Sequence, residues 1–154
     1  MQTLNSLHAM ILEHKAALGI NHQSVDVFME RGRLERGSHK EDERGLHYLD
    51  FRYSLALAIE NMHADRAAPL LIWLHQWVGG LDNRADLAEP DIVVTNTSSK
   101  LADVEMTLEV RDGIYLARDP AGEINALGEQ WTLGTHTMDV AEEFSISGAI
   151  KGAI

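Results

Sequence analysis

Residues 49–59, LDFRYSLALAI, alternate between two faces: Leu49, Phe51, Tyr53, Leu55, Leu57 and Ile59 on one, and Asp50, Arg52, Ser54, Ala56 and Ala58 on the other. A period of two sustained this long predicts a strand with one buried face. The period then changes. Leu70, Trp73, Leu74 and Trp77 recur at helical spacing, Asp65 stands where a cap would, and Gly79-Gly80 closes the run. This predicts a helix near 66–78, with Pro69 tolerated because first-turn amides have no helical acceptor. The strand and this helix are expected to form two layers of one core, with Trp73 and Trp77 packed inside it.

Upstream, Leu4, Leu7, Ile11 and Leu18 predict an amphipathic helix over 3–18, capped by Thr3 or Asn5 and ended by Gly19. Val25, Val27 and Met29 predict a strand over 25–30, followed by a turn at Arg31-Gly32. Residues 36–46, RGSHKEDERGL, are densely charged with no apolar period, which predicts a mobile, solvated loop. Val104, Met106, Leu108 and Val110 alternate with polar neighbours, and Ile114 and Leu116 follow Arg111-Asp112-Gly113. A three-residue hairpin loop at 111–113 is expected, setting Val110 opposite Ile114 and Leu108 opposite Leu116. A turn at Asp119-Pro120-Ala121-Gly122 leads to a short hairpin in INALGEQWTL.

Together these elements predict an α+β fold: an antiparallel sheet with two helices on one face, in a single domain over 1–136. Residues 137–154, TMDVAEEFSISGAIKGAI, are expected to be an extended arm. Val140, Phe144, Ile146 and Ile150 are too apolar to stay in water, while Gly148 and Gly152 disfavour a helix. Such a segment gains most by adding a strand to an exposed sheet edge, either on a neighbouring subunit or folded back on its own.

With 154 residues the chain is long enough to bury one substantial core. The 24 acidic and 13 basic residues give a net charge of −11, which repels phosphate backbones and argues against direct nucleic-acid binding. There is no cysteine, so disulfides, thiolate zinc sites and a cysteine nucleophile are excluded. No basic leader with an apolar core opens the chain and no run reaches membrane-spanning length; a protein that is neither exported nor membrane-bound is expected.

The candidate chemistry is thin. The eight histidines include no pair at metal-binding helical spacing, and His39 beside Glu41, Asp42 and Glu43 reads as a solvated loop. No serine lies in a G-x-S-x-G elbow and no glycine-rich loop opens a helix, so neither catalysis nor a bound cofactor or metal is expected. A small-ligand module, with a pocket between helix and sheet lined by Tyr53, Trp73 and Trp77, is the alternative that the aromatic residues leave open.

Phe51, Arg52-Tyr53, Leu55, Ile59, Asp65, Pro69, Leu70 and Trp73-Leu74, together with the preceding VFMERGRL, resemble the tail completion protein R family of temperate contractile-tailed phages, over roughly residues 3–134. The resemblance implies a prophage-encoded structural protein that finishes the head-proximal end of the tail. It also implies a tail-terminator-like fold assembled into a ring, a hexamer where it matches the tail's six-fold symmetry, that meets the tail tube and head-completion proteins. The protein would assemble in the host cytoplasm and end in the virion tail. A ring needs complementary surfaces on two sides of each subunit. The charged segment with Arg33, Arg36, His39, Lys40, Glu41 and Asp42, and the apolar Phe144, Ile146 and Ile150 of the arm, are the candidate interface residues.

Overall fold

The computed structural model describes residues 2–134. The expected interface residues Phe144, Ile146 and Ile150, and the whole proposed arm, lie outside them. The elements are α1 (Gln2–Glu13), α2 (Lys15–Leu18), β1 (Val25–Arg36), β2 (Glu41–Asp42), β3 (Gly45–His63), α3 (Ala67–Gly79), β4 (Asp91–Asn96), β5 (Leu101–Arg118), β6 (Ile124–Ala126) and β7 (Glu129–Leu133). The fold is α+β, with an antiparallel sheet in the order β1-β3-β5-β7-β6; β2 pairs with β3 and β4 with β5. The chain forms two compact units, whose described parts are residues 4–31 with 53–110, and residues 2–3 with 32–52 and 111–134. The strands β1, β3 and β5 contribute residues to each.

The first unit holds the helices. Tyr53, Leu55, Leu57 and Ile59 of β3 are buried at alternate positions, as their period requires. Ala102, Val104, Met106, Leu108 and Val110 of β5 do the same. Leu7, Ile11 and Leu18 from α1 and α2, with Leu70 and Leu74 from α3, complete this core. In β3 the alternation slips by one residue at Asn61, whose φ of 56° lets Met62 follow Ile59 into the core. The Asn61 amide is held by Asp103 Oδ1 at 2.9 Å.

The tryptophans of α3 pack against α1 and the His14 that follows it, and are not sealed in the core. Trp73 is half-buried and stacks on His14 with ring centroids 3.6 Å apart and planes 9° apart. Trp77 is half-buried and donates from Nε1 to Ser6 Oγ at 3.0 Å. The predicted helix over 3–18 is interrupted at His14, the residue that makes this stack. Asp65 lies in a short 3-10 turn, and the residue at the cap position of α3 is Arg66, whose side chain makes no capping bond.

In the second unit Trp131 replaces the helices as the centre. It is buried with Leu46, Leu116 and Ala126, and Tyr48 and Ile124 pack around them. Its indole Nε1 donates to the Ala126 carbonyl at 2.7 Å, and the Arg118 guanidinium lies 4.9 Å from its ring centroid. The predicted hairpin is present: β6 and β7 pair through Leu127 and Gly128, both with positive φ, as a two-residue turn needs. The turn at 119–122 closes through Gly122 N–H to Asp119 O at 2.8 Å.

Three expected features are corrected. The loop at 111–113 does not exist, because β5 runs unbroken from Leu101 to Arg118 and Val110 does not pair with Ile114. Gly113 has no positive φ; a side chain there would come within 2.7 Å of the Tyr115 ring, so the glycine makes room for that ring and turns nothing. Likewise β1 continues through Arg31-Gly32, with only Arg31 left-handed (φ 46°), and Gly32 leaves space for the Phe51 ring. In β3 the odd parity holds from Tyr53 to Ile59, whereas nearer its start the buried positions are Leu46 and Asp50.

Leu55 is fully buried and Glu105 is exposed. Replacing Leu55 with alanine is therefore expected to cost about 2–5 kcal/mol in urea denaturation, and Glu105→Ala less than about 0.5 kcal/mol. Similar losses at both positions would show that the burial pattern is wrong.

Candidate assembly surface

The charged segment is built into the sheet. Glu41 pairs with Leu46 and Asp42 with Gly45, leaving Glu43-Arg44 as a two-residue turn. The ladder continues toward β1 through Gly37 N–H to Tyr48 O at 2.9 Å, His39 N–H to His47 O at 2.8 Å and His47 N–H to Lys40 O at 3.0 Å. Residues 36–46 therefore form a hydrogen-bonded hairpin, correcting the structureless loop expected from their charge. Gly45 makes the hairpin possible: its φ is 113°, and a side chain there would meet the Leu116 carbonyl at 2.5 Å.

Side chains lock the turn and its base. Asp42 Oδ1 accepts the Arg44 amide at 2.8 Å while Oδ2 accepts from the Arg44 guanidinium at 2.8 Å, and that guanidinium sits 4.6 Å from the Tyr115 ring centroid. Asp50 is a buried carboxylate, which requires a donor; His47 Nε2 supplies it at 2.7 Å. His47 Nδ1 in turn accepts the Ser38 amide at 3.1 Å and lies 3.1 Å from Ser38 Oγ. A serine, histidine and aspartate in a row have the residue types of an acyl-transfer triad. Here, however, the Ser38 hydroxyl is exposed, accepts the Lys40 amide at 3.2 Å, and shares its histidine nitrogen with its own backbone N–H. The row ties the hairpin to the strand carrying His47 and Asp50.

The candidate interface residues fall in two groups. Arg36 reaches His39 at 3.4 Å, and His39 stacks on Tyr48 with centroids 5.5 Å apart. Glu41 accepts from Arg118 at 3.0 Å, and Arg118 also lies 3.9 Å from Glu129. Arg33 and Lys40 are exposed on β1 and on the hairpin. The resulting surface is polar, with cations and carboxylates interspersed. Next to it, Glu35 of β1 accepts from Arg111 of β5 at 2.8 Å and faces Arg52 of β3 at 3.5 Å. The Arg111 hydrogen bond, aided by both guanidinium charges, holds the Glu35 carboxyl below its ordinary pKa against the opposing effect of desolvation.

The second surface was not foreseen. Strand β4, DIVVTN, is exposed at all six positions and pairs with β5 alone among the described residues. Its signal was a β-branched run between Pro90 and the turn-forming Asn96-Thr97-Ser98-Ser99. Of the residues named for the ligand-module alternative, Tyr53 is buried, Trp73 stacks on His14 and Trp77 bonds to Ser6 of α1. Among the described residues no group of histidine or carboxylate side chains is placed to hold a metal, and no helix is long and apolar enough to cross a membrane.

Residues 1–133 match the family model described as P2 phage tail completion protein R (GpR). No curated protein and no solved structure matches the chain.

Because the folded pKa of Glu35 is depressed, its stabilising contribution is present above the unfolded carboxyl pKa of about 4.3 and is lost as pH falls through the folded value. The gap in unfolding free energy between wild type and Glu35→Gln should thus be steady from neutral pH to about pH 5 and shrink below about pH 4. A gap unchanged on acidification would contradict the assigned pairing.

Proposed function

The chain belongs to the P2 phage tail completion protein R family, and from that membership we propose that it is a structural subunit that closes the head-proximal end of the tail as a ring of identical copies. The observation that carries this reading is the extent of the match, residues 1–133, which includes every described strand and helix. What supports the reading in the structure is a set of features suited to assembly: long antiparallel strands, a polar hairpin rim and an apolar strand edge.

A closed ring requires each subunit to present two different complementary surfaces. The hairpin at 36–46 and the edge of β4 differ in chemistry as such a pair must. The mixed charges around Arg36, Lys40, Glu41 and Arg118 suit a polar, wet contact with other tail or head-completion proteins. Assembly in the host cytoplasm before incorporation into the virion tail follows from the same role.

Removing the gene from a phage that encodes it should yield lysates in which tails and heads accumulate unjoined, with virions restored by the wild-type chain in trans. Normal virion yield without the gene would refute the tail role. Native mass spectrometry with negative-stain imaging tests the ring separately: discrete closed rings are expected, and a strict monomer at every concentration would overturn that part.

A further inference from the structure

Strand β4 leaves a core face uncovered. In its antiparallel pairing, Ile92 lies opposite Met106 and Val94 opposite Val104. Directly opposed residues share a face of the sheet, so Ile92 and Val94 extend the face on which Met106 and Val104 are almost wholly buried. Yet Ile92 is 36% exposed and Val94 39%, and Val93 on the reverse face is 57% exposed. An apolar edge of this kind attracts another strand unless charge or proline blunts it. The outer strand β1 carries Asp26, Glu30, Arg31 and Arg33, all exposed, whereas β4 has no charge between Asp91 and Asn96.

We propose that residues 144–150 of a second copy, FSISGAI, add to the outer edge of β4 as an antiparallel strand. The proposal rests on self-association as read above and names its contact. Phe144, Ile146 and Ile150 share one parity with Gly148 between them, and Ser145 and Ser147 share the other. Placed on β4, the apolar parity extends the face of Ile92 and Val94, while the serines lie beside Val93.

Charge selects the direction. β4 begins beside Glu89 and Asp91 and ends at a turn carrying Lys100. The segment begins after Glu142-Glu143 and ends at Lys151. Antiparallel addition brings the glutamates toward Lys100 and Lys151 toward Glu89 and Asp91, whereas parallel addition sets like charges together at both ends. The register that seats Phe144 opposite Val94 and Ile146 opposite Ile92 also sets Ser145 opposite Val93.

The absence of native cysteine makes this directly measurable. Val93→Cys protein mixed with Ser145→Cys protein and oxidised should give a disulfide-linked heterodimer on non-reducing gels. Ile92→Lys/Val94→Lys, at positions already exposed, should keep the circular-dichroism spectrum and melting transition while weakening self-association at least tenfold. Rings that form without the cross-link and survive the lysines would overturn the edge contact and leave the ring reading intact. In a chain carrying both Val93→Cys and Ser145→Cys, a cross-link found only within single chains would overturn the exchange between copies. A monomer at every concentration would overturn both the contact and the ring.

Discussion

The eighteen-residue strand β5 is the constraint on which the other elements depend. Backbone amides and carbonyls taken from water must be paired, so one long strand dictates what lies beside it. Along residues 102–107 it pairs with β4, and at Leu116–Arg118 with β7. Its even positions from Ala102 to Val110 supply the wall of one core, and Leu116 joins Trp131 in the other. On its other edge it is hydrogen-bonded to β3, and side chains add to the ladders: Arg111 binds Glu35, and Thr3 donates to Asp112 at 2.7 Å. A hairpin at Arg111-Asp112-Gly113 would forfeit all of these contacts at once.

That balance explains what was legible in the sequence. The period of two in Tyr53–Ile59 and Val104–Val110 and the helical spacing of Leu70 and Leu74 were readable because burial enforces them directly. The β6–β7 hairpin was readable because its turn needs residues that accept positive φ. Asp112-Gly113 misled because a local turn preference of this type is weak beside a long-range ladder, and the glycine serves the Tyr115 ring instead. Arg31-Gly32 misled for the same reason, with Phe51 as the beneficiary. The fold of residues 36–46 was hidden because backbone hydrogen bonds given by Gly37 and His39 and accepted by Lys40 leave no hydrophobic trace. Strand β4 was missed because all its side chains are exposed and no alternation marks it.

The candidate interface shows a similar division. The charges at Arg36, Lys40 and Glu41 mark the hairpin rim, but sequence alone does not show that Glu41 meets Arg118 across 77 residues or that His47 serves Asp50. A polar rim of this kind suits contacts that form in water and exclude wrong partners by like-charge repulsion. An apolar edge suits a contact that, once made, stays. The proposed ring calls for both properties from one small subunit, and the two surfaces keep them apart along the chain.

Amide hydrogen exchange on the free protein and on its assembled form tests the central claim, that assembly works through the sheet edge of a preformed scaffold. The account predicts that amides of residues 91–96 gain protection on assembly while those of 102–110 are already protected in the free subunit. Assembly that leaves residues 91–96 unchanged, or a free subunit in which residues 102–110 exchange freely, would contradict it.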